Sequence, residues 1–543
     1  RVVMQRPAKP CTPVRFRPQP PDTLTFRPQG PAPRTSARAL TALGLLLILA
    51  CGFSVPVEAA SAVQSAGIQA AVSTIKQAQA SIEKEDFRTA WSLLEDLMSG
   101  PRFGALAAPQ QRVAVLLGAW SAYGLDRPID AHALSQRATE FGGAGPDEWL
   151  ARAFFAAAAD DAKDCAAALA STATRWPDQV QRFDTFVVQY ALRGTYRDPE
   201  ASEQRFALLA RLFNGAWTPE DGSDPEPLWF ALLEGLIELG DEVLARRVAG
   251  SLTSPSSVIP MRVDVRFQSV LPRDHPTLDV RASIAATLEK GRARMLARPE
   301  LLLLVNAHVT DLHRALKFTE ALAVADEAVA RVARRSRRAE PAFADLDDEY
   351  PWLLNQRSRV LASLGRLDES IRQLREAALK QEGGASNVSQ TINLGYLYLA
   401  AGRPADALVA TEAVDWSKGL SDYGRYQLQA VRYAALRSLQ RADEAEEALA
   451  WLRAIRRTSP STYQWALIEN GDLDGAAAVL IARFDAPEDR SDALVEVQEY
   501  STAALTEVER AHYARSLAVI ARPDVQVALR KIGVVERFDL LPP

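Results

Sequence analysis

Cysteine is almost missing from this chain: Cys11, Cys51 and Cys165 are the three thiols in 543 residues. A disulfide framework is therefore excluded, and if export removes the N-terminal segment only Cys165 remains. Histidine is scarce as well, with His132, His275, His308, His313 and His512. None stands in His-Glu-x-x-His, and the step from His308 to His313 puts the two rings on different faces of a helix, so no metal site is expected. A charge excess of one sign is also lacking, since 63 Lys and Arg against 68 Asp and Glu leave a net charge of −5. No global basic field draws the chain onto nucleic acid, and no nucleic-acid partner is expected.

Catalytic motifs are absent too. There is no Gly-x-Ser-x-Gly elbow, and Ser73-Thr74-Ile75-Lys76 has none of the companion motifs that give Ser-x-x-Lys its chemistry. Gly142-Gly143-Ala144-Gly145 lacks the Lys and Ser or Thr of a phosphate loop and reads as a turn that ends a helix. Adjacent acids such as Asp160-Asp161 and Asp347-Asp348-Glu349 read as solvated, and Cys165 as a small core residue. No catalysis and no cofactor are expected.

What the chain does have begins with an extension, residues 1–38, dense in Pro and Arg and without helical or strand period, expected to be disordered. It starts with Arg, which reads as a fragment or a wrongly placed start. Residues 39–62 then follow the order of a secretory signal: basic Arg34 and Arg38 ahead of it, the apolar run Ala39–Phe53, the breaker Pro56 and the small residues Ala59, Ala60 and Ala62. Cleavage after Ala59 or Ala62 fits. A second reading makes Ile48-Leu49-Ala50-Cys51 a lipobox with Cys51 lipidated, and a third keeps the run as an anchor, since it nears the ~20 residues that span a bilayer. All three export the rest of the chain, to the periplasm or cell envelope, with membrane attachment through this segment in the second and third.

From Ser65 onward the chain is rich in Ala and Leu, with apolar residues at i, i+3, i+4 and i+7 and short breaks at Gly, Asp or Pro, the pattern of an all-α protein. Internal repeats give the arrangement. Asn393-Leu394-Gly395-x-x-Tyr398-x-x-x-Gly402-Arg403-Pro404-Ala405-Asp406-Ala407 has small residues where two helices must touch, an aromatic between them and Gly at the turn. Four other segments share the turn and second helix, and their small residue recurs at Ala321, Ser370, Ala407, Ala445 and Ala476, steps of 49, 37, 38 and 31. This resembles the tetratricopeptide repeat family, whose period is ~34.

The resemblance implies an α-α superhelix. Residues 63–253 are expected to be a degenerate helical-repeat half, 254–298 an irregular connector in which Met261–Phe267 alternates like a short strand, 299–485 the repeat array, and 486–543 a C-terminal cap and tail. Arg331, Arg334, Arg335, Arg337 and Arg338 complement a helix C-terminus and pair with nearby acids. In this family the first helices of successive repeats line a groove for peptides. Carried over by register, the groove candidates are Asn306, Thr310 and His313, then Trp352, Asn355 and Arg359, then Ile392, Tyr396 and Leu399, then Gln427 and Arg437. That mixture of Arg, Asn and aromatics suits an extended peptide. The function implied is an exported scaffold for protein or peptide partners. Its alternatives are a cytosolic regulator with a misread N-terminus, and an enzyme subunit with a site hidden in the irregular N-terminal half.

Overall fold

The computed structural model describes residues 62–196, 201–335, 342–381, 387–414 and 420–543. The Pro/Arg-rich extension, Cys51 and the signal segment up to residue 61 lie outside them, as do Arg337, Arg338 and the side chain of Arg335. Among the described residues the chain is all-α, as expected, with no strand; β contacts occur as isolated bridges, Asp264 with Gly533 and Glu499 with Arg537. No helix there is long and apolar enough to cross a membrane.

One backbone device builds the hairpins. Where a first helix ends, a single residue takes positive φ: Glu85, Asp126, Asp160, Gly240, Leu316, Gly365, Gly402, Gln440 and Gly471. The next amide then donates back to a carbonyl in the last turn, as Arg127 N does to Ala122 O at 3.0 Å, Arg403 N to Tyr398 O at 2.8 Å and Asp472 N to Leu467 O at 3.0 Å. This closure satisfies a carbonyl that the helix end would otherwise leave unbonded. Five residues past each left-handed position stands a small, buried side chain: Ala90, Ala131, Cys165, Ala245, Ala321, Ser370, Ala407, Ala445 and Ala476. Two helix axes can approach closely only where neither carries bulk. Cys165 is thus a packing residue, and burial pushes its thiol well above the ordinary value.

The residue after the left-handed one caps the second helix in either of two ways. Asp86, Asp161, Asp241 and Asp472 accept from the backbone N–H three residues on. Arg127, Lys317, Arg366, Arg403 and Arg441 have no acceptor, and instead their head groups pair with Asp130, Glu320, Glu369, Asp406 and Glu444. Those acids sit in the first turn, where they also complement the helix dipole. Exposed pairs of this kind stabilise by about 0–1 kcal/mol. Burial of the small residue and its neighbours therefore holds each hairpin, and the ion pair only trims its entrance.

The described residues divide into two compact units, 62–220 and Asp221–Pro543. In the first, Ala62–Glu83 pairs with Phe87–Ser99, Ala108–Gly124 with Pro128–Glu140, and Pro146–Ala158 with Ala162–Arg175, followed by Thr185–Tyr196 and Ser202–Asn214. The second opens with Glu226–Leu239 and Glu242–Ala249. Five hairpins then run from Leu302 to Asp485: Leu302–Arg314 with Phe318–Arg335, Leu346–Ser363 with Leu367–Ala378, Val388–Ala400 with Pro404–Glu412, Asp422–Ser438 with Ala442–Ala454, and Pro460–Asn470 with Leu473–Asp485. Each first helix packs on the next first helix and each second helix on the following first one, which is the α-α solenoid arrangement. Pro487–Glu496, Glu507–Ile520 and Pro523–Ile532 complete the unit.

Two expectations about organisation differ from the structure. The break between units falls at Glu220, inside the segment 63–253, so the Glu226–Ala249 hairpin belongs with the array. The segment 254–298 is not an irregular connector: it carries the helices Pro255–Val263 and Val280–Ala297. Its alternating stretch does not form a strand, because the Asp264 carboxylate accepts from Arg266 N at 2.8 Å and starts a short helical turn, Val265–Ser269.

Asp264 also closes the second unit. Pro255–Val263 packs against Pro487–Glu496, and the fully buried Asp264 carboxylate receives Arg266 Nε at 2.8 Å and Arg490 Nη2 at 2.7 Å. Arg490 Nη2 donates as well to Ile532 O, and Val534 N donates to Val263 O at 3.1 Å. Residues far apart in sequence are thereby joined on one buried charge.

Candidate functional site

The groove candidates occupy the seams between successive first helices. Asn306 Nδ2 donates to Glu349 Oε2 at 2.8 Å, and His313 Nε2 lies 2.7 Å from Ser363 Oγ. Asn393 Nδ2 donates to Asn355 Oδ1 at 3.2 Å, the Tyr396 hydroxyl to Gln427 Oε1 at 3.0 Å, and Gln427 Nε2 to Thr462 Oγ1 at 3.1 Å. Arg437 Nη1 donates to Asn470 Oδ1 at 2.9 Å. The result is a polar ladder running from one first helix to the next across the whole array. Asn306, His313, Trp352, Asn355, Ile392, Tyr396 and Gln427 are buried, so they present little surface to a peptide. The ladder explains the polar residues: a buried amide or hydroxyl must find a partner, and the neighbouring repeat supplies it.

Thr310, Arg359 and Leu399 are half-buried and Arg437 is exposed. Thr310 spends its hydroxyl on Asn306 O at 2.8 Å within its own helix. The difference from expectation has a simple cause. Register in a solenoid picks out the positions that face inward, and where first helices stack closely those positions meet the next helix before they meet solvent.

The inward face is further occupied by the chain itself. Glu507–Ile520 packs against Val388–Ala400, Pro460–Asn470 and Leu473–Asp485. The Trp465 ring stands edge-on to Tyr396, with centroids 5.8 Å apart, and lies 5.9 Å from the His512 ring. His512 Nδ1 is bonded to Glu469 Oε1, and Arg515 Nη2 donates to the same oxygen at 2.9 Å. Burial pushes the Glu469 carboxyl up, but His512 and Arg515 more than offset this and hold it below the ordinary carboxylate range. After Pro523–Ile532 the tail continues inward: Ser501 N donates to Leu540 O at 3.1 Å, Leu541 N to Arg314 O at 2.8 Å, and Phe538, Leu540 and Leu541 are buried. Leu540 and Pro543 line a small cavity of about 40 Å³ with Ser254, Thr287, Asp311 and Arg314. Burial pushes Asp311 up to about 7, with Arg314 opposing and Asp224 adding.

In the first unit two side-chain clusters were not anticipated from the sequence. Trp120, Tyr123, Phe154 and Phe155 pack ring against ring, with Trp120 and Phe154 stacked at 5.4 Å. Asp164 accepts from Arg152 Nε and lies 2.8 Å from His132 Nε2. Burial works to raise Asp164, but the two hydrogen-bonded partners outweigh it and hold the carboxyl far below its ordinary value. Such a carboxylate is a poor base, and the trio ties neighbouring helices together. Among the described residues no cluster of His, Cys, Asp and Glu has the make-up of a metal site.

A signal for the first unit was present in the sequence. Arg127-Pro128-Ile129-Asp130-Ala131 repeats Arg403-Pro404-Ala405-Asp406-Ala407 in four of five positions. The C-terminal cover left no such signal, since its contacts join residues far apart in the chain.

No protein-family model matches the sequence, and no curated protein matches it either. Among solved structures the chain is similar to the human IFIT1 dimer with m7Gppp-AAAA, at 11% identity over 89% of this chain and 95% of that one, with a TM-score of 0.31. It is similar to Cut9 and Hcn1 in their APC/C hetero-tetramer at 13% identity over 92% of this chain and 93% of that one, TM-score 0.26. A third similarity is to the Naa15/Naa10 complex bound to HypK-THB, at 12% identity over 76% of this chain and 68% of that one, TM-score 0.20.

Proposed function

We propose that this chain is an exported, non-catalytic scaffold whose stacked hairpins hold protein partners in the bacterial cell envelope. The observation that carries the reading is the hairpin device itself. A left-handed turn residue and a small buried residue five positions on recur at Gly365 and Ser370, Gly402 and Ala407, and Gly471 and Ala476, with a capping Asp or an Arg-acid pair between them. A backbone rule that fixes spacing and leaves the outer surface open to variation suits recognition of macromolecules. The near-balanced charge favours protein over nucleic acid as the partner. Export rests on the basic, apolar and small order of residues 34–62, and lipidation at Cys51 is the attached form of the same reading.

Two measurements test it. Photo-crosslinkers placed singly at the exposed Arg437 and Leu379 in the full chain, in cells, should each trap the same envelope protein. A reporter fused after Ala62 should be active outside the cytoplasm. No reproducible adduct from either site would sink the scaffold, and a reporter active only inside would sink export.

A further inference from the structure

Glu507–Ile520 covers the array without an apolar stripe. Its buried residues are Glu509, His512 and Val519, while Val508 and Leu517 remain exposed at 46% and 40%. Of the buried residues only Val519, with Ile520 packed beside it, reaches the main core, at the C-terminal end of the helix, whereas Pro523–Ile532 places Val525, Leu529 and Ile532 there along its length. Burial of apolar surface makes a helix part of a cooperative core, and a helix held mainly by ions and hydrogen bonds opens at lower free energy. The contact it makes is specific even so. Two cationic or ring nitrogens, from residues three apart on one helix face, converge on Glu469 Oε1, and the His512 ring lies tilted beside Trp465, with centroids 5.9 Å apart; Trp465 itself abuts Tyr396.

We infer that Glu507–Ile520 is a built-in pseudo-ligand, and that the face it covers, Tyr396, Trp465 and Glu469, is a docking site for a partner helix carrying a His or Arg and a second cation three residues on. Charge complementarity selects that partner: Glu469 is the acceptor, and the Trp465 ring gives a flat neighbour for imidazole or guanidinium. The tethered helix competes at an effective concentration on the order of millimolar, so the site opens only to a tighter partner or after the cover is weakened. The partner class rests on the scaffold reading above. The experiment uses this chain alone, so the two fail separately.

The probe is a fluorescein-labelled peptide spanning residues 505–522 of this chain, titrated into the full-length protein. Wild type should bind it weakly, and a variant with His512→Ala and Arg515→Glu in the tethered helix should bind it at least about tenfold more tightly. Adding Glu469→Gln to that variant should abolish the gain, and a peptide with Arg515 replaced by Glu should not bind. Circular dichroism keeps misfolded variants out of the comparison. Hydrogen exchange on the unmodified protein is the second readout: amides of 507–520 should exchange at least about tenfold faster than those of 523–532. Equal binding by wild type and variant, binding by neither, or exchange in 507–520 as slow as in 523–532 would overturn the proposal.

Discussion

Asn in place of Asp264 should be among the most damaging conservative changes in this protein. The carboxylate is fully buried and takes four hydrogen bonds, from Arg266 N and Nε at 2.8 Å and from Arg490 Nε at 3.1 Å and Nη2 at 2.7 Å. The arginine side chains are themselves only 14% and 18% exposed. Summing four charge-assisted bonds would overstate the case, because desolvation of the carboxylate opposes them. The relevant quantity is what remains after the change: two guanidinium groups packed around a neutral amide whose own N–H₂ faces a donor. Breaking a buried pair in this way costs about 3–5 kcal/mol, whereas removing an exposed pair such as Arg403 and Asp406 costs less than about 1 kcal/mol. Because a solenoid need not unfold in one step, denaturant melting should be combined with hydrogen exchange at Pro255–Val263 and Pro487–Glu496, the two segments that the Asp264–Arg490 pair joins. A double-mutant cycle with Arg490→Met should give a coupling of about 1–3 kcal/mol. If Asp264→Asn costs less than about 1 kcal/mol and leaves exchange in both segments unchanged, the closure is not held by this charge.

The turn device can be tested from both directions. Gly402 has φ +70° and open space around the position of a Cβ, so Gly402→Ala isolates backbone strain and should cost about 1–2 kcal/mol by thermal melting. Gln440 holds the same conformation at φ 60°, and Gln440→Gly should be neutral to stabilising by about 0.5 kcal/mol. Gly395→Ala tests close packing instead: its Cβ would stand 2.6 Å from Val431 Cγ1, and the overpacking cost of about 1–3 kcal/mol should exceed the roughly 1 kcal/mol gained in helix propensity. For pH, burial raises Asp311 and Glu234 to about 7, above their unfolded values near 4, so the folded state binds more protons between those limits. Stability from these groups is fully present below about pH 4 and is lost as pH rises from there through 7. Melting of the wild type should therefore occur at higher temperature at pH 5.5 than at pH 8, and Asp311→Asn should remove about 1–2 kcal/mol of that dependence, the half-buried side chain being partly screened.

The sequence by itself determined the local rules of this protein. A residue able to turn left-handed, an Asp or an Arg with an acid three residues on, and a small side chain after five positions are properties of short segments, so the five hairpins from Leu302 to Asp485 were legible in it. The same rule was written at Arg127-Pro128-Ile129-Asp130-Ala131. Register also marked Tyr396, Gln427 and Asn355 as inward-facing.

What lines of sequence could not carry was how closely the first helices stack. That distance decided whether an inward amide meets a ligand or the next repeat, and here Tyr396 meets Gln427 and Asn393 meets Asn355. The closure through Asp264 and the cover by Glu507–Ile520 were likewise decided in three dimensions. Both depend on a charge finding its partner hundreds or tens of residues away, Asp264 with Arg490 and Glu469 with His512 and Arg515, and such pairings leave no period in the chain.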